Sequence, residues 1–253
     1  MVFLFAWDQY GRAGIVDAGE VGHGDIMNIV YALTRNFYPR LLPSIRSLLE
    51  HNPDARIYIL AEDDEVLDLP CKATVINVSE QKYFPHTGPN YWNAYTYINL
   101  LKVCYPEYLP RLNKVIHLDV DTIICDSLEG LWKTDVKGKW FAACQEIHGI
   151  YKPFGEKYYN MGVALINLQQ MRKDGIVPKM VEYLNAFRQP WADQDAWNRY
   201  AIEQGKAAEL DVRYNEAKMT GMTENPAVVH YCGFPSWWDD KWVPRHELLE
   251  QYK

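Results

Sequence analysis

No closely spaced cysteine pair, no cluster of lysine and arginine, and no apolar run of membrane-spanning length occurs in this chain of 253 residues. Cys71, Cys104, Cys125, Cys144 and Cys232 are far apart and set mostly among apolar residues, which argues against a zinc site and for reduced core thiols in a cytosol. A net charge of −7 without any basic patch argues against nucleic acid and anionic membrane surfaces as partners. The apolar opening Met1 to Ala6 meets Asp8 and Arg12 too soon for a signal segment. The mixed C-terminal stretch Glu247 to Tyr252 gives no support for stable membrane attachment, so membrane contact is at most transient. A cytoplasmic location is the expectation, and the oligomeric state is open.

Repeats, low-complexity tracts and a clear interdomain linker are also missing, so residues 27–253 read as one domain. Residues 1–26 are Gly-rich, end in Gly22-His23-Gly24-Asp25, and read as a leader, a start upstream of Met27, or an extension. What is present is a 48% hydrophobic composition, ample for a buried core.

Strand-like and helix-like patterns alternate. Met27 to Ala32 reads as a strand and Thr34-Arg35-Asn36 as a turn, followed by Leu41, Leu42, Ile45, Leu48 and Leu49 at helical spacing. Arg56 to Leu60 and Ala73 to Val78 read as further strands, 79–93 as a surface loop, and 94–105 as a helix. A strand ends at Asp119; Asn160 to Leu168 reads as a buried strand, with a helix from Gln169, another over Asp193 to Gln204, and a short strand at Val228-Val229-His230. The expectation is an α/β fold with a mostly parallel sheet, its ligand crevice beyond the carboxyl ends of the strands.

Asp119-Val120-Asp121 is the most informative segment. Residues i and i+2 of an extended chain project to one side, so both carboxylates can face one point. Like charges that close need a cation, and hard oxygen ligands suit Mg²⁺ or Mn²⁺ bridging a diphosphate. A strand end whose acids simply face solvent would read the same way in isolation.

Its company narrows the choice. Met27-Asn28-Ile29-Val30-Tyr31-Ala32, Lys114 to Asp121, Tyr159-Asn160-Met161-Gly162-Val163 and His230-Tyr231-Cys232-Gly233 together resemble the retaining glycosyltransferases of family 8, which include glycogenin and bacterial lipopolysaccharide galactosyl- and glucosyltransferases. The resemblance runs from about Met27 to Trp238. It implies a GT-A fold, a Rossmann-like half merged with an acceptor-binding half. It also implies a UDP-sugar donor, UDP-galactose or UDP-glucose by family habit, a glycan acceptor, and Mn²⁺ or Mg²⁺ on Asp119, Asp121 and His230. An imidazole ligand tilts the preference toward Mn²⁺.

For the donor, the resemblance implies contacts at Ala32, Thr34 and Asn36 in the first turn, at Val120, at Asn160 and Gly162, and at Gly233. Lys102 would meet the diphosphate or sugar, and Asp193 and Gln194 would orient the sugar and support positive charge at its anomeric carbon. Asp193 serves equally well as a helix N-cap, and Lys102 as a solvated surface charge. Two departures stand out: the first turn lacks the acidic residue that many relatives use for uridine, and Ser236 replaces a lysine that grips the diphosphate. Either Lys241 or Arg245 reaches back in its place, or the clamp is weaker and Lys102 and the metal carry more of the charge. Trp237 and Trp238 are candidate stacking platforms for an acceptor sugar.

Same-face attack and double displacement both remain open at this stage. So do a catalytically silent nucleotide-sugar or glycan-binding protein on the same scaffold and a metal-dependent phosphohydrolase or nucleotidyltransferase, although the second metal cluster that the latter would need is not seen.

Overall fold

The computed structural model describes residues 26–63, 68–92, 96–147, 157–233 and 237–253, and a short antiparallel ribbon of β1 (Ala6–Trp7) and β2 (Ala13–Gly14). The remainder of 1–25 and Ser236 lie outside the described residues. β3 (Asn28–Leu33) directs Val30 and Ala32 to one face and Ile29, Tyr31 and Leu33 to the other, and both faces are buried. That pattern belongs to a strand covered by helices on both sides. A 3₁₀ turn, Arg35–Phe37, leads into α1 (Tyr38–His51), which buries Leu41, Ile45 and Leu48.

β4 (Arg56–Ala61) and β5 (Ala73–Asn77) follow. The helix expected over 94–105 is a succession: α2 (Tyr97–Leu100), a 3₁₀ turn over Leu101–Cys104, and α3 (Tyr105–Tyr108). Pro106 has no N–H to bond back into the preceding turn, and it sits in the first turn of α3, where none is needed. β6 (Val115–Leu118), β7 (Thr122–Ile124), α4 (Glu129–Trp132) and β8 (Phe141–Gln145) come next. β9 (Tyr159–Ile166) is buried throughout, and α5 (Leu168–Asp174) starts where Asn167 Oδ1 accepts from Gln170 N at 2.9 Å. α6 (Val177–Ala186), α7 (Asp193–Glu203), β10 (Ala207–Glu209), β11 (Val228–His230) and α8 (His246–Tyr252) complete the order.

The central sheet has the strand order β10-β8-β9-β6-β3-β4-β5. Its pairings are parallel except where β9 runs against β6 and β8, so the mostly parallel expectation holds with one reversed strand. Between Ala143 and Cys144 the register on β9 jumps from Ala164 to Asn160, a bulge that leaves 161–163 unpaired with β8. Bulges of this kind re-aim side chains beside active sites. The first turn and Asp119 both lie at carboxyl ends of neighbouring parallel strands, β3 and β6.

β7 and β11 form a separate antiparallel pair, and against it Ile123, Val229, Tyr231, Trp237, Val243, Leu249 and Tyr252 build a small C-terminal core. Arg46 of α1 ties this unit down by donating to the carbonyls of Tyr252 at 2.9 Å and Lys253 at 2.5 Å. All five cysteines are free thiols, with only Cys104 and Cys144 fully buried. No helix among the described residues is long and apolar enough to cross a membrane.

The loop after β5 is clamped by one buried side chain. Asn90 Nδ2 donates to the carbonyls of Leu184 at 2.6 Å and Phe187 at 2.7 Å, and its Oδ1 accepts from Gln189 N at 2.7 Å. Asn90→Ala strands these groups, and we expect a loss of about 2–4 kcal/mol in urea unfolding; a change below about 0.5 kcal/mol would show that water replaces the clamp.

Candidate functional site

The site assembles where β6 ends beside the β9 bulge. Asp119 N donates to Gly162 O at 2.8 Å, and Thr122 Oγ1 donates to Asp119 O at 2.7 Å, so the Asp119–Asp121 turn is held from both sides. β11 brings His230 across: its Nε2 lies 3.2 Å from Asp121 Oδ1 and 3.8 Å from Asp119 Oδ2. One ligand atom from each of these three residues falls within 4.8 Å of the other two.

A chain of donors decides which imidazole nitrogen carries the proton. The backbone N–H of Gly162 donates to Asn160 Oδ1 at 3.1 Å, which identifies that atom as oxygen. Asn215 Nδ2 donates to the same oxygen at 3.0 Å, which leaves Asn215 Oδ1 to face His230 Nδ1 at 2.9 Å. An amide oxygen only accepts, so Nδ1 carries a proton, and Nε2 is the nitrogen turned toward the two carboxylates. Nε2 is buried and has no hydrogen-bond partner among the described residues. Burial works against charge on His230, but Cys232 and Asp121 outweigh it and raise its pKa well above the usual imidazole range. A proton or a cation therefore belongs at this point.

Gly162 has a steric reason to be glycine. A Cβ there would lie 2.1 Å from His230 Cε1 and 2.8 Å from Asp119 Oδ2, inside van der Waals contact with two ligand side chains. The sequence assigns Gly162 to the approach of a ligand; the structure gives the approach to the protein's own imidazole and carboxylate.

Asp119 divides its oxygens. Oδ1 accepts from Lys102 Nζ at 2.6 Å and from His117 Nε2 at 2.9 Å, while Oδ2 faces His230. Lys102 is buried, not a solvated surface charge. Burial would lower its pKa, yet Asp119, with Asp193 and Asp121 behind it, raises it, so the ammonium persists. Burial and the neighbouring Lys102 lower His117 to about 4, so its ring is neutral, donating through Nε2 and accepting at Nδ1 from Tyr105 Oη at 2.9 Å. For Asp119, burial pushes upward, but Lys102 and His117 hold its carboxyl well below the usual carboxylate range.

The Asp193-Gln194-Asp195 run splits into three roles. Asp193 is not the N-cap: that position is Ala192, at φ 51°, in the left-handed region that strains a residue with a Cβ. Asp195 secures the turn instead, accepting from Trp191 N at 2.9 Å and Tyr158 Oη at 2.7 Å. Asp193 is buried, its Oδ2 without a hydrogen-bond partner among the described residues. Burial raises its pKa to about 7, against the pull of Lys102 and with the push of Asp119. Gln194 Oε1 accepts from Met161 N at 3.0 Å, and Nε2 donates to Glu146 Oε1 at 3.2 Å.

Asn160 is spent within the protein, since Nδ2 also donates to Glu146 Oε1 at 3.0 Å. Glu146 is a residue that sequence reasoning missed; it is buried, burial raises its pKa, and Oε2 has no hydrogen-bond partner among the described residues. It borders a cavity of about 440 Å³, shared with Cys144, Glu209, Val212 and Thr220. His117, Tyr105 and Asn215 were missed as well, because a polar residue in an apolar run carries no mark of what it touches.

The other candidates are more peripheral. Ala32 packs in the core, and Thr34 is buried with its hydroxyl donating to the Asn36 carbonyl oxygen. Val120 is half-buried between the aspartates, and Gly233 adopts φ 79° in the turn after His230. Arg245 cannot reach back to a ligand: its guanidinium forks onto the buried Glu216 and donates to Thr223 O. Lys241 lies over the exposed Trp242. Trp237 is no open platform, being buried and stacked on Tyr231 at 5.6 Å.

Two outcomes test this geometry. Gly162→Ala should weaken Mn²⁺ binding by roughly 100-fold in calorimetry with the fold retained by circular dichroism; unchanged affinity would mean that His230 does not need this space. Asp193 prefers its protonated form when folded, so its contribution is favourable below pH 4 and is lost as pH rises through about 7. In EDTA, Asp193→Asn should therefore gain in urea midpoint over the wild type as pH rises from 4 to 8; a constant offset would remove the buried charge.

A protein of Haemophilus influenzae that bears the name of a glycosyltransferase is 29% identical over 251 residues, covering 85% of this chain and 74% of its own length. The lipopolysaccharide 1,2-glucosyltransferase of Escherichia coli is 22% identical over 85% of this chain and 74% of its own length. The chain spans only 32% of the similar glycosyltransferase GlyA of Streptococcus pneumoniae, at 23% identity over 84% of this chain. Among solved structures, an active-site mutant of LgtC superposes with a TM-score of 0.69 at 23% identity, covering 89% of this chain and 95% of that one. Galactosyltransferase LgtC in complex with donor and acceptor sugar analogs gives 0.63 at 22% identity, covering 90% and 96%. The fold is GT-A, and since the model of glycosyl transferase family 8 matches residues 28–241, the chain belongs to that family of transferases.

Proposed function

We propose that this chain transfers a hexosyl group from a UDP-sugar, UDP-galactose or UDP-glucose, to a glycan hydroxyl with retention at the anomeric carbon. The observation that carries the reading is His230 Nε2 aimed at Asp119 and Asp121, with Nδ1 committed to Asn215. A mixed nitrogen and oxygen donor set fits Mn²⁺ and admits Mg²⁺. An ion held there supplies Lewis-acid neutralisation of the nucleoside diphosphate.

The chain's own residues supply position and charge. Lys102 holds Asp119 ionised and places a cation behind the phosphates' site. Gln194 Oε1 is engaged with Met161 N, which favours an orienting role over a nucleophilic one and so favours same-face attack. In that route the departing phosphate oxygen takes the acceptor's proton, and the bond from the anomeric carbon to that oxygen breaks as the bond to the acceptor oxygen forms. Asp193 supports the positive charge on the sugar. With Asn160 committed, Glu146 Oε2, which like Asp193 Oδ2 has no hydrogen-bond partner among the described residues, is an acceptor for a sugar hydroxyl. The cavity beside it has a volume within the range of small-molecule sites and suits the glycan.

Release of UDP from a panel of nucleotide sugars in Mn²⁺ tests the proposal. We expect turnover that EDTA abolishes, and a loss of about 10²–10³ in kcat for Asp119→Ala and for Asp121→Ala. Metal-independent turnover in these variants would reject the site. Binding of a UDP-sugar with neither hydrolysis nor transfer would make the chain a silent binder.

A further inference from the structure

The cations that face the site crevice from the elements described above are mostly committed. Lys102 is bound to Asp119, Arg245 to Glu216, and Arg35 lies 3.9 Å from Asp63. Arg40, in the first turn of α1, is different. Its guanidinium has no ion pair and no hydrogen bond among the described residues, and it sits among three aromatic rings: 5.5 Å from the centroid of Phe37, and 5.9 Å from those of Trp237 and Trp238.

Those rings come from the two segments that border the crevice. Phe37 closes the turn after β3, and Trp237 stacks on Tyr231, whose N–H donates to Asp121 O at 2.9 Å. One helical turn beyond Arg40, Ser44 Oγ lies 3.0 Å from Thr122 Oγ1, which is itself bonded to Asp119 O. Residues i and i+4 share a helix face, and helix side chains tilt toward the N-terminus. Arg40 therefore projects from the Ser44 face toward the carboxyl ends of the strands, beside the backbone that carries Asp119 and Asp121. Aromatic faces hold a guanidinium plane while leaving its N–H edge free to fork onto phosphate oxygens.

We propose that Arg40 binds the phosphates of the nucleoside diphosphate, supplying from α1 the cation that the resemblance places at position 236. The assignment rests on the proposed function. Calorimetry in Mn²⁺ with UDP and with uridine, on the wild type, Arg40→Lys and Arg40→Met, tests it. Arg40→Met should weaken UDP by about tenfold or more and leave uridine unchanged, with Arg40→Lys between. Arg40→Gln repeats the measurement if the methionine variant does not fold. Equal weakening of UDP and uridine, or no weakening of UDP, would overturn the assignment and leave Arg40 as a packing residue. A wild type that binds no UDP in Mn²⁺ would overturn the proposed function itself, and this assignment with it.

Discussion

Two carboxylates beside an imidazole nitrogen, all held within a few ångströms, repel unless a proton or a cation stands among them, and the surrounding architecture holds the three in place. Three separate pieces of chain are involved: the end of β6, the end of β11, and the bulged strand β9 that lets them meet. Each is anchored by backbone hydrogen bonds, so the repulsion is not relieved by side chains swinging out to water. A positive charge at this point relieves that frustration.

Around this centre the protein arranges its own charges in layers. Lys102 and the neutral His117 hold one oxygen of Asp119 and leave the other turned toward His230. Outer partners of this kind fix the orientation and basicity of a ligand side chain. On the opposite side, Glu146 gathers the amides of Asn160 and Gln194, joining β8, β9 and α7 in one polar network. A parallel sheet alone would not produce this meeting; the reversed strand β9 carries Asn160 and Gly162 to the same end as Asp119.

Much of this was legible in the residue string. The strands and α1 follow from period-two and helical spacing, and Asp119, Asp121 and His230 converge as their motifs suggest. What was hidden is instructive. Pattern reading shows where a residue lies on an element but not what faces it across the fold. His117 looks like one polar residue in an apolar strand, and Asn215 like a loop residue, yet together they orient two of the three ligand side chains. Asn160 was read as a sugar contact because an amide pairs well with hydroxyls; three protein partners already occupy it. Lys102 carries two readings in the sequence, a contact to the donor and a solvated helix charge; the 3₁₀ turn that holds it is buried, which removes the second.

The C-terminal core looks remote from the chemistry, but its attachment is not. Glu216, the neighbour of Asn215, is gripped by Arg245, and Tyr231, the neighbour of His230, donates its hydroxyl to Arg245 O. The tail of the chain is thus the abutment against which the histidine arm rests. Disturbance of α8 would be passed through these contacts to His230, so the last helix and the histidine move as one mechanical unit.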